Sequence, residues 1–318
     1  MVQRSFTLLF LLLSIYYGSI SCASAQNSEQ LYLSGLEKSK QGKHKEALTL
    51  FNSAIRLNEK EARYYAERGK SYMHTAEVES AFNDFCTAIK IDPTYPDAYL
   101  SRGIFFQMAR QPEKAILDIT EGLKFAKIDS SIVKLLIVRA SCYHQKRDFE
   151  AAEKDCRQAL TIDSLHVGAM NNLAMALDEL GHHPEAIRYL KKIISVDNKA
   201  VFAYMNIGFY LSKQGEYKES IPYFNQAIAL DPQEASVYNN RGYSEFKLKD
   251  YDSALKDVCK SIKMNPYNSY AYRNRSLIYL DQHKKAKACE DLNQAKQLGF
   301  TKQFGPEVET LLKENCVN

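Results

Sequence analysis

Asn172, Asn206, Asn240 and Asn274 follow one another at intervals of thirty-four residues, and Asn171 and Asn239 precede two of them. A carboxamide carries donor and acceptor on one planar group. It can therefore pair with the N–H and C=O of an extended peptide whatever that peptide's side chains are. Asparagine is a mediocre helix former and adds little to an apolar core, so its regular recurrence needs a reason. A column of such groups would hold a chain by its backbone and leave sequence preference to the residues beside it. Met175, Asp178, Phe202, Phe209, Tyr243, Phe246, Tyr270 and Arg273 stand at helical spacing on the same side. The competing reading is that the asparagines satisfy polar groups between adjacent helices.

A second set of residues points to structure instead of binding. Arg68, Arg102, Arg139, Arg241 and Arg275 occur at one place of a thirty-four-residue period, and Asp84, Asp118, Asp155, Asp257 and Asp291 lie sixteen residues after each. Where the arginine is missing the aspartate is missing too: Ser34 goes with Leu50, Leu173 with Tyr189 and Ile207 with Tyr223. Positions that change together are expected to touch. Equal distances from a central turn would set each arginine opposite its aspartate across a helix hairpin, as a structural ion pair.

No catalytic constellation accompanies them. The chain has no HExxH, no phosphate-cradling glycine loop and no G-x-S-x-G. His182 and His183, before Pro184, read as a solvated turn and not a metal site. The expectation is a non-enzymatic protein without cofactor or metal. A net charge of +4 with interspersed signs gives no basic footprint for nucleic acid.

The elements that must position these residues come from the period itself. Gly35, Gly69, Gly103, Gly208 and Gly242 fall on one lattice, as do Ala47, Ala81, Ala115, Ala186, Ala254 and Ala288. Such regularity means one supersecondary unit stacked many times. The register gives repeats at 28–61, 62–95, 96–129, 133–166, 167–200, 201–234, 235–268 and 269–302, with Ser130 to Ile132 as an interruption. Each repeat carries apolar residues at helical spacing twice around a short turn, and Asp92-Pro93, Asp231-Pro232 or Asn265-Pro266 stops the second helix.

This pattern resembles the tetratricopeptide repeat (TPR) family over residues 28–302. The resemblance implies an all-α chain: an α-solenoid of about eight helix-turn-helix repeats in a right-handed superhelix, with first helices lining a concave groove. Residues 303–318 are expected to form one amphipathic capping helix through Val308, Leu311 and Leu312. The asparagines also resemble the column in the TPR superhelix of the O-linked N-acetylglucosamine transferases, whose catalytic domain has no counterpart here. That likeness is confined to the C-terminal half, because Leu33, Glu67, Ser101 and Val138 occupy the matching places earlier.

The first residues read as an export signal: Arg4, an apolar run from Phe6 to Tyr17, then Ala23-Ser24-Ala25. Residues 1–25 would be removed and Gln26 would begin a periplasmic or secreted chain. Cys22 offers the alternative of a membrane-anchored lipoprotein. No apolar run is long enough to span a bilayer. The six later cysteines read as small buried side chains, with Cys142 and Cys156 as the pair to check for a disulfide. The sequence thus favours a protein-interaction module that takes an extended peptide in the groove of its C-terminal repeats. The alternatives are a scaffold docking folded partners on its convex face or edges, and a regulatory subunit of a separate enzyme.

Overall fold

The computed structural model describes residues 26–316, all-α and without strands among the described residues. The signal segment and Cys22 lie outside them. The chain forms two compact bodies, one up to Asn172 and one from Leu173 onward. In the first, α1 (residues 26–40) precedes α2 (His44–Leu57), α3 (Ala62–His74) pairs with α4 (Val78–Ile91), α5 (Pro96–Met108) with α6 (Pro112–Phe125), and α7 (Asp129–Gln145) with α8 (Phe149–Ile162). The division falls within α9 (Val167–Glu179). The second body continues with α10 (His183–Val196), then pairs α11 (Val201–Lys213) with α12 (Tyr217–Leu230), α13 (Ala235–Lys247) with α14 (Tyr251–Met264), and α15 (Ser269–Asp281) with α16 (Lys285–Gln297). It closes with α17 (Phe300–Phe304) and α18 (Glu307–Asn315).

Small residues let the two helices of a hairpin meet. A Cβ added at Gly35, Gly69 or Gly208 would lie 2.6, 2.6 or 2.7 Å from a ring carbon of Phe51, Phe85 or Phe224 respectively. Ile119 and Val258 fill the same notch against Gly103 and Gly242. In the remaining repeats Ala140, Ala174 and Ser276 occupy the notch position and Cys156, Leu190 and Leu292 the filling one, all buried. Gly208→Ala is therefore expected to destabilise by about 1–2 kcal/mol, because overpacking outweighs the gain in helix propensity. Urea denaturation checks this, and Phe224→Leu in the same chain should restore most of the loss.

The helix ends are fixed by local chemistry. Asp92, Asp231 and Asn265 leave the helix in extended conformation, as a residue before proline must. Their side-chain oxygens accept the N–H two residues on, at Thr94, Gln233 and Tyr267. Asn58, Asp163 and Asp197 make the same Asx turn with Lys60, Leu165 and Lys199, although no proline follows them.

Each of the five arginines makes a fork with its aspartate, Nε and Nη2 lying 2.6–2.9 Å from the two carboxylate oxygens. The five aspartates are buried. The remaining Nη1 reaches back into the preceding repeat: Arg68 to Asn52, Arg102 to Cys86 Sγ, Arg139 to Thr120, Arg241 to Asn225 and Arg275 to Cys259 Sγ. These acceptors all occupy place twenty-five of their repeats. Ahead of the two interior repeats that lack the arginine, that place holds Arg157 and Lys191.

Three sequence expectations change. Ser130 to Ile132 do not interrupt the stack, because α7 starts at Asp129 and simply runs a turn longer than its counterparts. The cap is not one helix: Gly299 and Gly305 adopt positive φ, so a short α17 precedes α18 and the boundary at residue 302 falls inside α17. Val308 is fully buried beside Leu292, Ala295 and Phe300, with Leu311 and Leu312 packed on them. The cysteine reading is also corrected. Cys289 and Cys316 form a disulfide that ties the end of α18 to α16, whereas Cys142 and Cys156 are buried free thiols. Cys156 fills the notch opposite Ala140. Cys142, two residues after Ala140 on α7, is turned about 200° away from that seam.

Candidate functional site

In the second body, α11, α13 and α15 border a cavity of about 330 Å³ that also touches the first residue of α12. Phe209, Ser212 and Lys213 come from α11, Asn240 and Tyr243 from α13, and Tyr270, Arg273 and Asn274 from α15, with Tyr217 from α12. Within the repeats the eight residues from α11, α13 and α15 occupy places two, five, six, nine, twelve and thirteen. That sequence follows one face of a helix, so the wall is the repeated inner face of successive first helices.

One hydrogen-bonded chain crosses this wall. Arg273 Nη1 donates to Asn274 Oδ1 (2.8 Å), Asn274 Nδ2 donates to Asn239 Oδ1 (2.9 Å), and Asn239 Nδ2 donates to Asn240 Oδ1 (3.3 Å). Asn274 is 2% exposed and Asn239 is 3% exposed, so both carboxamides are consumed inside the protein. Asn240 ends the chain, is half-buried and lines the cavity. No described side chain takes up its Nδ2 donors.

The expected column of four equivalent grips is thereby corrected. Asn274 and Asn239 are structural, since a buried carboxamide must satisfy its groups where it stands. In the first body Asn172 donates to the carbonyl of Ile137 at 3.4 Å, which is the inter-helix role. Asn171 and Asn206 are half-buried, and neither lines the cavity. Arg273 is mostly buried and paired through Nε and Nη2 with Glu307 of α18, which makes it a link to the cap as well as a wall residue. Phe209 and Tyr243 stand on the wall, and Phe209 is well exposed.

Sequence reading missed Ser212, Lys213 and Tyr217. Ser212 accepts from buried Ser244, which in turn accepts from Ser220, so three hydroxyls brace α11, α12 and α13. Lys213 Nζ lies 2.8 Å from Asp178 Oδ2, and the other oxygen of that buried carboxylate meets His183 Nδ1 at 2.7 Å. His183 is therefore held by a buried acid and is not the loose turn residue expected. Asp178 lies thirty-five residues before Lys213, about one period, a spacing that was available as a signal. Tyr217 meets Tyr243 edge-on, and Lys247 Nζ sits within 6.0 Å of the Tyr217, Tyr243 and Phe246 ring centres.

The cavity therefore combines aromatic faces with an open amide donor and anchored cations. Among the described residues no cluster of three or more His, Cys, Asp or Glu side chains suits a metal ion, and no helix is long and apolar enough to cross a membrane.

Profiles of the tetratricopeptide repeat match residues 32–96, 133–164, 167–199, 201–234 and 235–268. The chain is 34% identical over 91 residues to the Hsp70-Hsp90 organizing protein of Triticum aestivum, a stretch covering 29% of this chain and 16% of that protein. It is 37% identical over 76 residues to the small glutamine-rich tetratricopeptide repeat-containing protein of Dictyostelium discoideum, covering 24% of this chain and 23% of that one. The match thus spans under a quarter of either relative. Among solved structures, a tetratricopeptide repeat protein from Parabacteroides merdae superposes with a TM-score of 0.68 at 22% identity, over 79% of this chain and 98% of that one. The Cut9–Hcn1 hetero-tetramer of the APC/C gives 0.65 at 15% identity, over 86% and 53%. At these identities the structural likeness concerns the fold.

Proposed function

The chain belongs to the tetratricopeptide repeat family, and on that premise we propose that it is a protein-interaction module whose second body holds an extended segment of another protein in the cavity between α11, α13 and α15. The observation that carries this reading is Asn240: a carboxamide whose donors are left open, set between the exposed ring of Phe209 and the rings of Tyr243 and Tyr270. A passing peptide carbonyl would accept from Asn240 Nδ2 while its side chains rest on the aromatic faces. The likeness to the transferase column is thus reduced to Asn240 at the cavity, with Asn206 one period before it. The named relatives support interaction in general, since one is called an organizer of Hsp70 and Hsp90. Export belongs to the same proposal and is supported by Arg4, the Phe6–Tyr17 run and Ala23-Ser24-Ala25; sequencing of the native N-terminus should find Gln26.

Peptides selected on the chain from a random display library provide the test. Asn240→Ala should weaken their binding by about 0.5–1.5 kcal/mol, the loss of one hydrogen bond, and Tyr243→Ala should weaken it further through lost stacking. Binding that ignores both changes yet responds to substitutions on the second helices would replace the groove with the convex-face scaffold.

A further inference from the structure

The cap does more than cover the last repeat: it also occupies one wall residue of the cavity. Arg273 lines the cavity, and its Nε and Nη2 are both spent on the Glu307 carboxylate at the start of α18. α18 has only nine residues, too few to persist as a helix by itself. Val308 is the one fully buried residue of that helix, Leu311 and Leu312 pack half-buried on the same cluster, and α18 is further held by the Arg273–Glu307 pair, by Lys296 and Glu309 at 3.6 Å, and by the Cys289–Cys316 disulfide. Neither cysteine is fully buried, although Cys316 packs against the cap cluster.

From this arrangement we propose that the Cys289–Cys316 disulfide is a redox latch which keeps Glu307 on Arg273. Its reduction frees the guanidinium to face the cavity. The chemistry is thiol–disulfide exchange with an external dithiol. One thiolate of the reductant attacks a sulfur of the bond and breaks it, giving a mixed disulfide. The second thiolate then displaces the remaining protein thiolate. Overall the protein disulfide gains two electrons and two protons, and the reductant leaves as its own disulfide. Without the covalent tie α18 opens more often, Glu307 leaves Arg273, and a cation with two donors is exposed at the α15 end of the wall. The consequence for a ligand rests on the peptide-holding reading above, whereas the covering of Arg273 does not.

The test needs no ligand. Phenylglyoxal modifies accessible arginines, and peptide mass spectrometry reads Arg273 separately from the rest. In the oxidised full chain Arg273 should react slowly. After dithiothreitol treatment, or in Cys316→Ser, it should react about tenfold faster, because modification follows the population of the open form. Glu307→Gln with the disulfide intact should also raise the rate, which identifies the carboxylate as the cover. Hydrogen exchange over α11–α14 should stay unchanged on reduction. Equal Arg273 reactivity in both redox states, loss of exchange protection throughout the body, or free Cys289 and Cys316 thiols in native protein would each overturn the latch. Peptide binding that fails while Arg273 reactivity still follows redox state removes the groove reading and leaves the latch standing.

Discussion

Replacing Arg139 by leucine is expected to lower stability by about 3 kcal/mol or more, whereas the pair Arg139→Leu with Asp155→Tyr should recover most of that loss. The single change leaves the Asp155 carboxylate, with a side chain 4% exposed, facing an apolar group, and removes the donor to Thr120 as well. A buried charge without its partner costs far more than the pair contributes. The double change copies what this chain already uses, because Leu173 with Tyr189 and Ile207 with Tyr223 occupy the same places in repeats five and six. The hydrogen bonds to Asp155 hold the Arg139 guanidinium above its ordinary basicity. Urea denaturation of the four members of the cycle decides the matter. Additive losses would mean that the two side chains share no energy despite their contact.

Glu245→Tyr is expected to stabilise the protein by on the order of 2 kcal/mol at pH 8 and to have little effect near pH 4. Glu245 is 13% exposed at its side chain, its Oε2 is buried without a partner, and Oε1 stands 3.8 Å from Arg241 Nε. Burial, reinforced by the nearby Asp257 carboxylate, pushes its carboxyl from an ordinary 4.5 up to about 7. A carboxyl whose folded value is raised favours the fold while protonated. That advantage is complete below the unfolded value near 4.5 and is lost as pH rises through about 7. The wild-type chain should therefore lose stability between those limits through this residue, and the tyrosine variant should not. Tyrosine suits the place: the other arginine-bearing repeats have Tyr72, Phe106, Tyr143 and Tyr279 there, and Arg68, Arg139 and Arg275 lie within 6.0 Å of those tyrosine rings. Melting temperature against pH for the two chains is the measurement, and parallel curves would count against the raised carboxyl.

The hairpins were legible because their packing is written in residue size. Gly69 and Phe85, sixteen apart, can only be a notch and its filler once the period is known. The arginine–aspartate forks were legible because loss of one always accompanies loss of the other. Their third contact, to place twenty-five of the repeat before, was equally present in the sequence but hidden by its variety: Asn52, Cys86, Thr120, Asn225 and Cys259 are of three types, with only the capacity to accept from a guanidinium in common.

The site was read less well. Asn240 and Asn274 occupy the same place of neighbouring first helices, yet one faces the cavity with open donors and the other is closed in by Asn239 and Arg273. Residue type cannot distinguish them, because the outcome depends on which neighbours arrive, and Glu307 arrives from beyond the last repeat. The disulfide escaped for the same reason. Cys289 and Cys316 meet only because Gly299 and Gly305 turn the chain back onto α16, a path set by two backbone angles and not by any spacing.

The backward reach of each arginine imposes a grammar on the order of the modules. A repeat that carries the guanidinium needs an acceptor as the closing word of its predecessor, and those ending in Arg157 or Lys191 offer a like charge instead. Modules one, two, three, six and seven can precede an arginine-bearing neighbour, whereas modules four and five cannot do so without setting cation against cation. Shuffling or lengthening this array, by recombination or by an engineer, would therefore succeed or fail according to the junctions, even when every module is sound by itself.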